Sequence, residues 1–152
     1  MQIRQVMSSG VRISNPSQSI RDAAIVMAEI DAGVLPVGQD DRLVGVITDR
    51  DIAIRAVASG KGPDTPVAEI MSKEVLYCFD DEDVGKVAQN MADAKLRRFP
   101  VVNRNKRLVG IVSLGDIAVE DGPASAGEAL CEISEPGGRH SQALDGRSRR
   151  AL

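Results

Sequence analysis

Apolar side chains recur at intervals of three and four residues in two separate stretches of the chain. The first stretch contains Ile20, Ala23, Ala24, Met27 and Ile30, and the second contains Val84, Val87, Ala88, Met91 and Ala94. Both sets follow the spacing i, i+3, i+4, i+7 and i+10, which covers one face of an α-helix. The pattern therefore predicts two amphipathic helices that each bury one face.

A β-hairpin is predicted after each of these helices. The run VLPV at residues 34–37 is followed by the polar turn GQDDR and the β-rich run LVGVIT. The run RFPV at residues 98–101 is followed by the turn NRNKR and the run LVGIVS. Short apolar runs that are separated by a polar turn are typical of paired strands.

Two further elements are predicted in each half of the chain. The runs VRIS at residues 11–14 and VLYC at residues 75–78 precede the amphipathic helices and indicate short strands. A second helix is expected to begin at Thr48 in the first half and at Ser113 in the second half, directly after each hairpin. Both halves therefore have the order β-α-β-β-α.

The two halves are copies of one another. Met7-Ser8 aligns with Met71-Ser72 at a shift of 64 residues, which becomes 65 after one extra residue in the second polar turn. We assign residues 1–60 to a first repeat, residues 61–121 to a second repeat and residues 122–152 to a C-terminal extension. The Gly- and Pro-rich segment SGKGPDTP connects the repeats. Because one repeat alone buries only a modest core, we predict an α/β (α+β) fold in which two β-α-β-β-α repeats pack as a pseudo-twofold pair.

The composition excludes several classes of protein. Of the 152 residues, 43% are hydrophobic, which is enough for a folded core. The chain has one Tyr, two Phe and no Trp, so it lacks the aromatic platforms that bind single-stranded nucleic acid. Its net charge of −3 also argues against binding to a phosphate backbone. We therefore expect no nucleic-acid partner.

The cysteine and histidine content excludes further kinds of site. Cys78 and Cys131 are far apart and lack CxxC spacing, which argues against a zinc site or a disulfide framework. The single histidine, His140, cannot supply a histidine-based metal cluster, and it is the one residue that could serve as the base of a Ser-His-Asp triad, which makes such a triad an unfavoured interpretation. We predict no metal ligand, no catalytic residue and no obligatory cofactor.

The start and the end of the chain carry two further signals. The opening residues MQIRQVMSSG lack the apolar run of a signal peptide, and no apolar stretch approaches the length of a membrane span. We therefore expect a cytoplasmic protein without membrane contact. Residues 136–152 contain four arginines, one aspartate and no apolar periodicity, which predicts a disordered tail. The alternative for this tail is a basic segment that contacts nucleic acid or an acidic partner.

Each strand-to-helix turn carries a hydroxyl group and, three residues later, a carboxylate. The pairs are Thr48 with Asp51 and Ser113 with Asp116. Free N–H groups at the start of a helix attract a phosphate, the hydroxyl adds a donor, and the aspartate oxygens can accept from the vicinal diol of a sugar. The alternative is a capping box, in which both side chains only bind backbone amides. Because capping boxes prefer Glu or Gln as the acid, an Asp in both copies favours ligand binding.

Two arginines distinguish the second repeat from the first. Arg97 and Arg98 precede the Phe-Pro dipeptide, whereas Gly33 and Val34 occupy the corresponding positions in the first repeat. Arginine holds phosphate oxygens with two parallel hydrogen bonds, although it can also protect an exposed strand edge from aggregation. We therefore predict that the Asp116 turn prefers phosphorylated ligands. The Asp51 turn is expected to bind more weakly or to accept a less charged group.

The paired sequences GVLPVGQDDRLVGVITDRDIA and LRRFPVVNRNKRLVGIVSLGDIA resemble tandem CBS domains, the Bateman module of regulatory proteins. The resemblance covers about residues 1–120. It implies a signal-transduction module that binds AMP, ADP, ATP, NAD or S-adenosylmethionine in the cleft between two CBS repeats. In the family signature G-h-x-[ST]-x-x-D the aspartate holds ribose hydroxyls and the Ser or Thr approaches phosphate. The resemblance also places Val34 and Phe99 near the adenine, with ordinary core packing as the alternative for both side chains.

The resemblance further implies a homodimer and a regulated target enzyme, with an adenine nucleotide as regulatory ligand. The alternative function is a ligand-free module that acts by dimerising or by binding a partner protein. Asp51 and Asp116 would then serve only as helix caps. An enzyme is the third and weakest class, because the sequence shows no nucleophile–base pair and no set of metal ligands.

Overall fold

The computed structural model describes residues 1–136 and divides the chain into two compact units. Unit 1 contains Met1–Ser9, Tyr77–Arg104 and the chain from Val109 on, and unit 2 contains Gly10–Leu76 and Asn105–Leu108. The compact units therefore differ from the sequence repeats, since the first nine residues join most of the second repeat. The tail from residue 137 on lies outside the described residues.

Unit 2 contains the hairpin and the amphipathic helix of the first repeat. Its elements are α1 (Ile20–Ile30), β1 (Val34–Gln39), β2 (Arg42–Thr48), α2 (Asp49–Asp51), a π-helical segment (Ile52–Val57) and α3 (Val67–Ile70). Strands β1 and β2 pair antiparallel, with Val34 opposite Thr48, which confirms the predicted hairpin. The predicted helix begins at Ile20 as expected, and the hydroxyl of Ser19 accepts a hydrogen bond from the amide of Asp22 at 3.1 Å.

Unit 1 contains the corresponding elements of the second repeat and one additional helix. Its elements are a 3₁₀ turn (Ile3–Gln5), β3 (Cys78–Phe79), α4 (Val84–Ala94), β4 (Arg98–Val102), β5 (Leu108–Ser113), α5 (Leu114–Glu120) and α6 (Pro123–Ser134). The strands form one sheet in the order β3-β4-β5, with β3 parallel to β4. Helix α4 coincides with the predicted amphipathic stretch, so the helix pattern is confirmed in both repeats.

Helix α6 covers part of unit 1. It packs against α4 and α5 and buries Ala126, Ala129 and Ile133 in the apolar core of the unit. The same core contains Cys78, and burial raises the pKa of its thiol to about 12, with smaller contributions from Glu82 and Asp80. This thiol is therefore protonated and inert at neutral pH.

The two short strands predicted before the amphipathic helices are much reduced. Residues 11–14 form no strand, because only Ser14 makes a parallel bridge to Val37. The amide of Ser14 donates to the carbonyl of Pro36, and the amide of Gly38 donates back to Ser14. Since Pro36 has no N–H, it cannot extend this ladder towards Arg12. In unit 1 the strand expected at residues 75–78 begins only at Cys78.

The Met-Ser turn that opens each repeat packs against the hairpin of the other repeat. In unit 1, Ser8 and Ile111 exchange two backbone hydrogen bonds of 2.9 and 3.0 Å beside Gly110. In unit 2, Val46 and Ser72 exchange bonds of 3.0 and 2.9 Å in the same way. These contacts explain why Met1–Ser9 belongs to unit 1 rather than to the unit that holds the first hairpin.

Within residues 1–136, no helix is both long enough and apolar enough to cross a membrane.

Candidate functional site

The strand-to-helix turn of unit 2 is closed by reciprocal hydrogen bonds. The amide of Asp51 donates to Oγ1 of Thr48 at 3.0 Å, and the amide of Thr48 donates to Oδ2 of Asp51 at 3.0 Å. Both side chains are half-buried. This arrangement is a complete capping box.

Unit 1 repeats this geometry. The amide of Asp116 donates to Oγ of Ser113 at 3.0 Å, and the amide of Ser113 donates to Oδ2 of Asp116 at 2.7 Å. The expectation that aspartate disfavours a capping box was wrong, because the carboxylate reaches the N-cap amide in both units. In the described part of the chain, Oδ1 of each aspartate has no hydrogen-bond partner. Each turn therefore still offers one carboxylate oxygen as an acceptor.

The expected supply of free N–H groups at these helix starts is mostly absent. The amide of Leu114 donates to the carbonyl of Arg97 at 2.8 Å, and the amide of Asp49 donates to the carbonyl of Gly33 at 2.9 Å. In unit 2 the amide of Arg50 also donates to Oδ1 of Asp49 at 2.8 Å. Because backbone carbonyls and neighbouring side chains already accept these amides, other side chains must supply most of the groups that would bind an anion.

The backbone bond between Leu114 and Arg97 places the main chain at Arg97 and Arg98 beside the turn of unit 1. Arg97 and Arg98 are both exposed, and Arg98 opens strand β4. Among residues 1–136, neither guanidinium group makes an ion pair or a hydrogen bond. Unit 1 therefore brings together four of the predicted site residues: Arg97, Arg98, Ser113 and Asp116.

The corresponding position in unit 2 has the opposite electrostatic character. Val34 lies directly across the hairpin from Thr48 and is half-buried, so three predicted residues, Val34, Thr48 and Asp51, lie close together. Gly33 contributes no side chain, and the carboxylate of Asp49 occupies the space beside it. A Cβ atom at Gly33 would be only 2.9 Å from Oδ2 of Asp49. Arg50, the residue after Asp49, is exposed.

Phe99 does not contribute an open surface to this region. Its side chain is 2% exposed and belongs to the apolar core of unit 1. The ring is large and apolar, and it follows Arg98 on a strand whose next three residues are also buried. Core packing, the alternative weighed for Phe99, therefore describes its side chain.

The sequence motifs taken one at a time do not single out Asp49. It directly follows the Thr48 cap, where an exposed acid is usually explained by the positive end of a helix. A comparison between the repeats would have identified it, because Leu114 stands at the equivalent position and Arg97 stands at the position equivalent to Gly33. The two positions change together between the repeats, from a glycine and an acid to an arginine and an apolar side chain.

The fold and the paired turns define a two-repeat α+β module with one carboxylate-bearing turn in each unit. Among the described residues, no group of three or more His, Cys, Asp or Glu side chains is arranged to hold a metal ion. The CBS domain family model matches residues 3–57 and again residues 67–121. The chain belongs to the CBS-domain family.

Known proteins of this family resemble the chain over most of its length. The CBS domain-containing protein YhcV of Bacillus subtilis is 41% identical over 133 residues, which cover 87% of this chain and 94% of YhcV. The CBS domain pair of MJ0100, solved with 5′-methylthioadenosine and S-adenosylmethionine, has a TM-score of 0.70 and 31% identity, covering 78% of this chain and 94% of that chain. CBSX2 in complex with AMP has a TM-score of 0.69 and 26% identity, covering 79% and 95% respectively.

Proposed function

We propose that the chain is a regulatory module that binds an adenosine-containing molecule and reports its presence to a partner without breaking a bond in it. The observation that carries this proposal is the turn of unit 1. Asp116 keeps one carboxylate oxygen for the diol of a ribose. Arg97, whose backbone carbonyl bonds the first residue of α5, and Arg98 after it are exposed and have no ion-pair partner among residues 1–136. A nucleoside phosphate has both complementary groups, a diol and an anion.

The related structures support this choice of ligand class. Members of the family with the same fold are complexed with AMP in one case and with 5′-methylthioadenosine and S-adenosylmethionine in another. These ligands share adenosine and differ at the 5′ position, from a phosphate to an uncharged thioether or a sulfonium cation. We propose AMP or another adenine nucleotide for the Asp116 turn, and we keep ADP, ATP and NAD in the same class.

A thermal unfolding series tests the ligand class. The protein is melted alone and with AMP, ADP, ATP, NAD or S-adenosylmethionine, and the nucleotide is recovered afterwards. A ligand at 100 times its dissociation constant should stabilise the protein by about 2.7 kcal/mol and raise its Tm. The recovered nucleotide should be unhydrolysed. Unchanged melting with all five compounds at millimolar concentration would contradict the proposal.

A second candidate is an interaction module that pairs with another copy of the chain or with a target protein. In unit 1 the helix α6 covers Ala88 and Ala92, whereas the equivalent Ala24 and Ala28 of unit 2 are exposed. Within residues 1–136, unit 2 has no helix equivalent to α6, and Val57 of its π-helical segment is 67% exposed. An apolar helical face of this kind is typical of protein–protein contacts.

A further inference from the structure

The carboxylate of Asp49 lies beside Gly33, whose counterpart in the other unit is Arg97. Its Oδ2 lies 2.9 Å from the position of a Cβ atom on Gly33, and the backbone of the two residues is joined by a 2.9 Å hydrogen bond. Its Oδ1 accepts the amide of Arg50 at 2.8 Å, which holds the carboxylate at the turn. Asp49 therefore presents a negative charge beside Gly33, within the same turn that carries Asp51.

The same positions in unit 1 reverse this charge. Arg97 replaces Gly33, and the buried apolar side chain of Leu114 replaces Asp49. The backbone hydrogen bond between the two positions is retained at 2.8 Å, so the change affects side chains on a common backbone geometry.

The charge difference extends to the end of the preceding helix. The C-cap residue is Asp31 in unit 2 and Lys95 in unit 1, and both adopt the left-handed conformation, with φ of 53° and 59°. The ammonium group of Lys95 donates to the carbonyls of Glu132 and Glu135 at the end of α6, so the difference in charge at the turns themselves rests on Asp49 and Arg97.

A phosphate at the 5′ position would interact very differently with these two surroundings. It carries a charge of about −1.5 to −2 at neutral pH. Asp49 repels that charge, whereas an uncharged 5′ group is unaffected and a cation is attracted. The ribose diol does not discriminate, because Asp51 and Asp116 have the same hydrogen-bond geometry.

We propose that Asp49 is a specificity-determining residue that makes the Asp51 turn select adenosine derivatives with an uncharged or cationic 5′ group. This inference rests on the proposed function, since it assigns a ligand class to one of its two turns. The Asp116 turn binds adenosine 5′-phosphates. One chain therefore distinguishes adenosine derivatives with a negatively charged 5′ group from those with an uncharged or cationic one.

The two turns can be followed separately in one sample by nuclear magnetic resonance. The amide of Asp51 reports on unit 2 and the amide of Asp116 reports on unit 1, so neither site has to be disabled. AMP and 5′-methylthioadenosine are titrated at low ionic strength. The Asp51 amide is expected to respond at lower concentrations of 5′-methylthioadenosine than of AMP, and the Asp116 amide is expected to show the opposite order.

Asp49→Asn tests the role of the charge. The amide side chain retains an oxygen that can accept from Arg50, but it removes the negative charge. AMP affinity at the Asp51 turn should rise about three- to tenfold, and the gain should shrink as salt is added. The affinity for 5′-methylthioadenosine should not change. Asp64→Asn is the matched control, because Asp64 is exposed in the same unit and should leave both affinities unchanged.

The double variant Gly33→Arg with Asp49→Leu transfers the arrangement of unit 1 to unit 2. The structure already accommodates this pair of side chains at Arg97 and Leu114. The variant should bind AMP at the Asp51 turn more tightly than Asp49→Asn does.

Four results would overturn the inference. Equal affinities of AMP and 5′-methylthioadenosine at the Asp51 turn would refute the selectivity. So would a ratio of these two affinities that is unchanged in Asp49→Asn. In both cases the proposed function would still be supported if the Asp116 amide responds to AMP. If the Asp116 amide shifts and the Asp51 amide shifts with neither ligand, a site in unit 2 is refuted. If neither ligand changes the chemical shift of either amide, the proposed function is refuted together with the inference.

Discussion

Gly110→Ala is expected to lower the free energy of unfolding by about 1–3 kcal/mol, the usual cost of inserting a methyl group into a packed region. A Cβ atom at Gly110 would be 2.8 Å from the carbonyl oxygen of Ser8 and 2.7 Å from the sulfur of Met7. The thioether can move, but the carbonyl cannot move without disturbing both hydrogen bonds between Ser8 and Ile111. Urea denaturation measures the effect.

Gly127→Ala is the matched control. Gly127 lies inside α6, and no heavy atom stands within 4 Å of its Cβ position. Alanine in a helix interior should therefore stabilise the protein by about 0.5–1 kcal/mol. If Gly110→Ala is as stable as the wild type, the packing of the N-terminal Met-Ser turn on unit 1 is not as described.

Asp116→Ala is expected to weaken AMP binding at least about tenfold and to lower the free energy of unfolding by about 0.5–2 kcal/mol. The binding loss follows because hydrogen bonds to a charged group contribute about 1.5–3 kcal/mol each, and the free carboxylate oxygen is the proposed acceptor for the ribose diol. The stability loss follows because the capping bond from Ser113 is removed. Calorimetric titration is carried out at a temperature where both proteins are folded.

Asp83→Ala separates capping from binding. Asp83 caps α4 in the same unit, where its carboxylate accepts the amides of Gly85 at 3.0 Å and Lys86 at 3.4 Å. Its removal should cost a similar amount of stability and leave AMP affinity unchanged. If Asp116→Ala behaves in the same way, Asp116 is only a helix cap and the interaction module becomes the better account.

The helices and hairpins could be predicted because their signals are local. Helices α1 and α4 follow from apolar residues at helical spacing, and the hairpins follow from short apolar runs around a polar turn. The short strands could not be placed as well, because the extent of their pairing depends on the missing N–H of Pro36 in the partner strand.

The membership of the two units could not be derived from the repeats. Ile3 and Val6 are buried, which their apolar character suggests, but their partners lie in the core of unit 1 about 80 residues further along the chain. Apolar periodicity shows which face of a segment is buried and does not identify the surface that buries it. The chain therefore has two sequence repeats whose opening turns are exchanged between compact units.

The candidate site was predictable in position and less so in detail. Thr48, Asp51, Ser113 and Asp116 lie at the strand-to-helix turns as expected, and Arg97 and Arg98 stand beside one of them. The double use of each aspartate, with one oxygen on the backbone and one free, depends on side-chain geometry that residue type does not specify.

The most direct test of the account is a titration of the ¹⁵N-labelled wild-type protein with AMP, followed by amide chemical shifts and by the phosphorus spectrum of the same sample. The account predicts saturable shifts at the amides of Arg98, Ser113 and Asp116, with the AMP phosphorus signal still that of intact nucleotide. An amide spectrum that does not change at millimolar AMP, or shifts confined to residues away from the strand-to-helix turns, would contradict it.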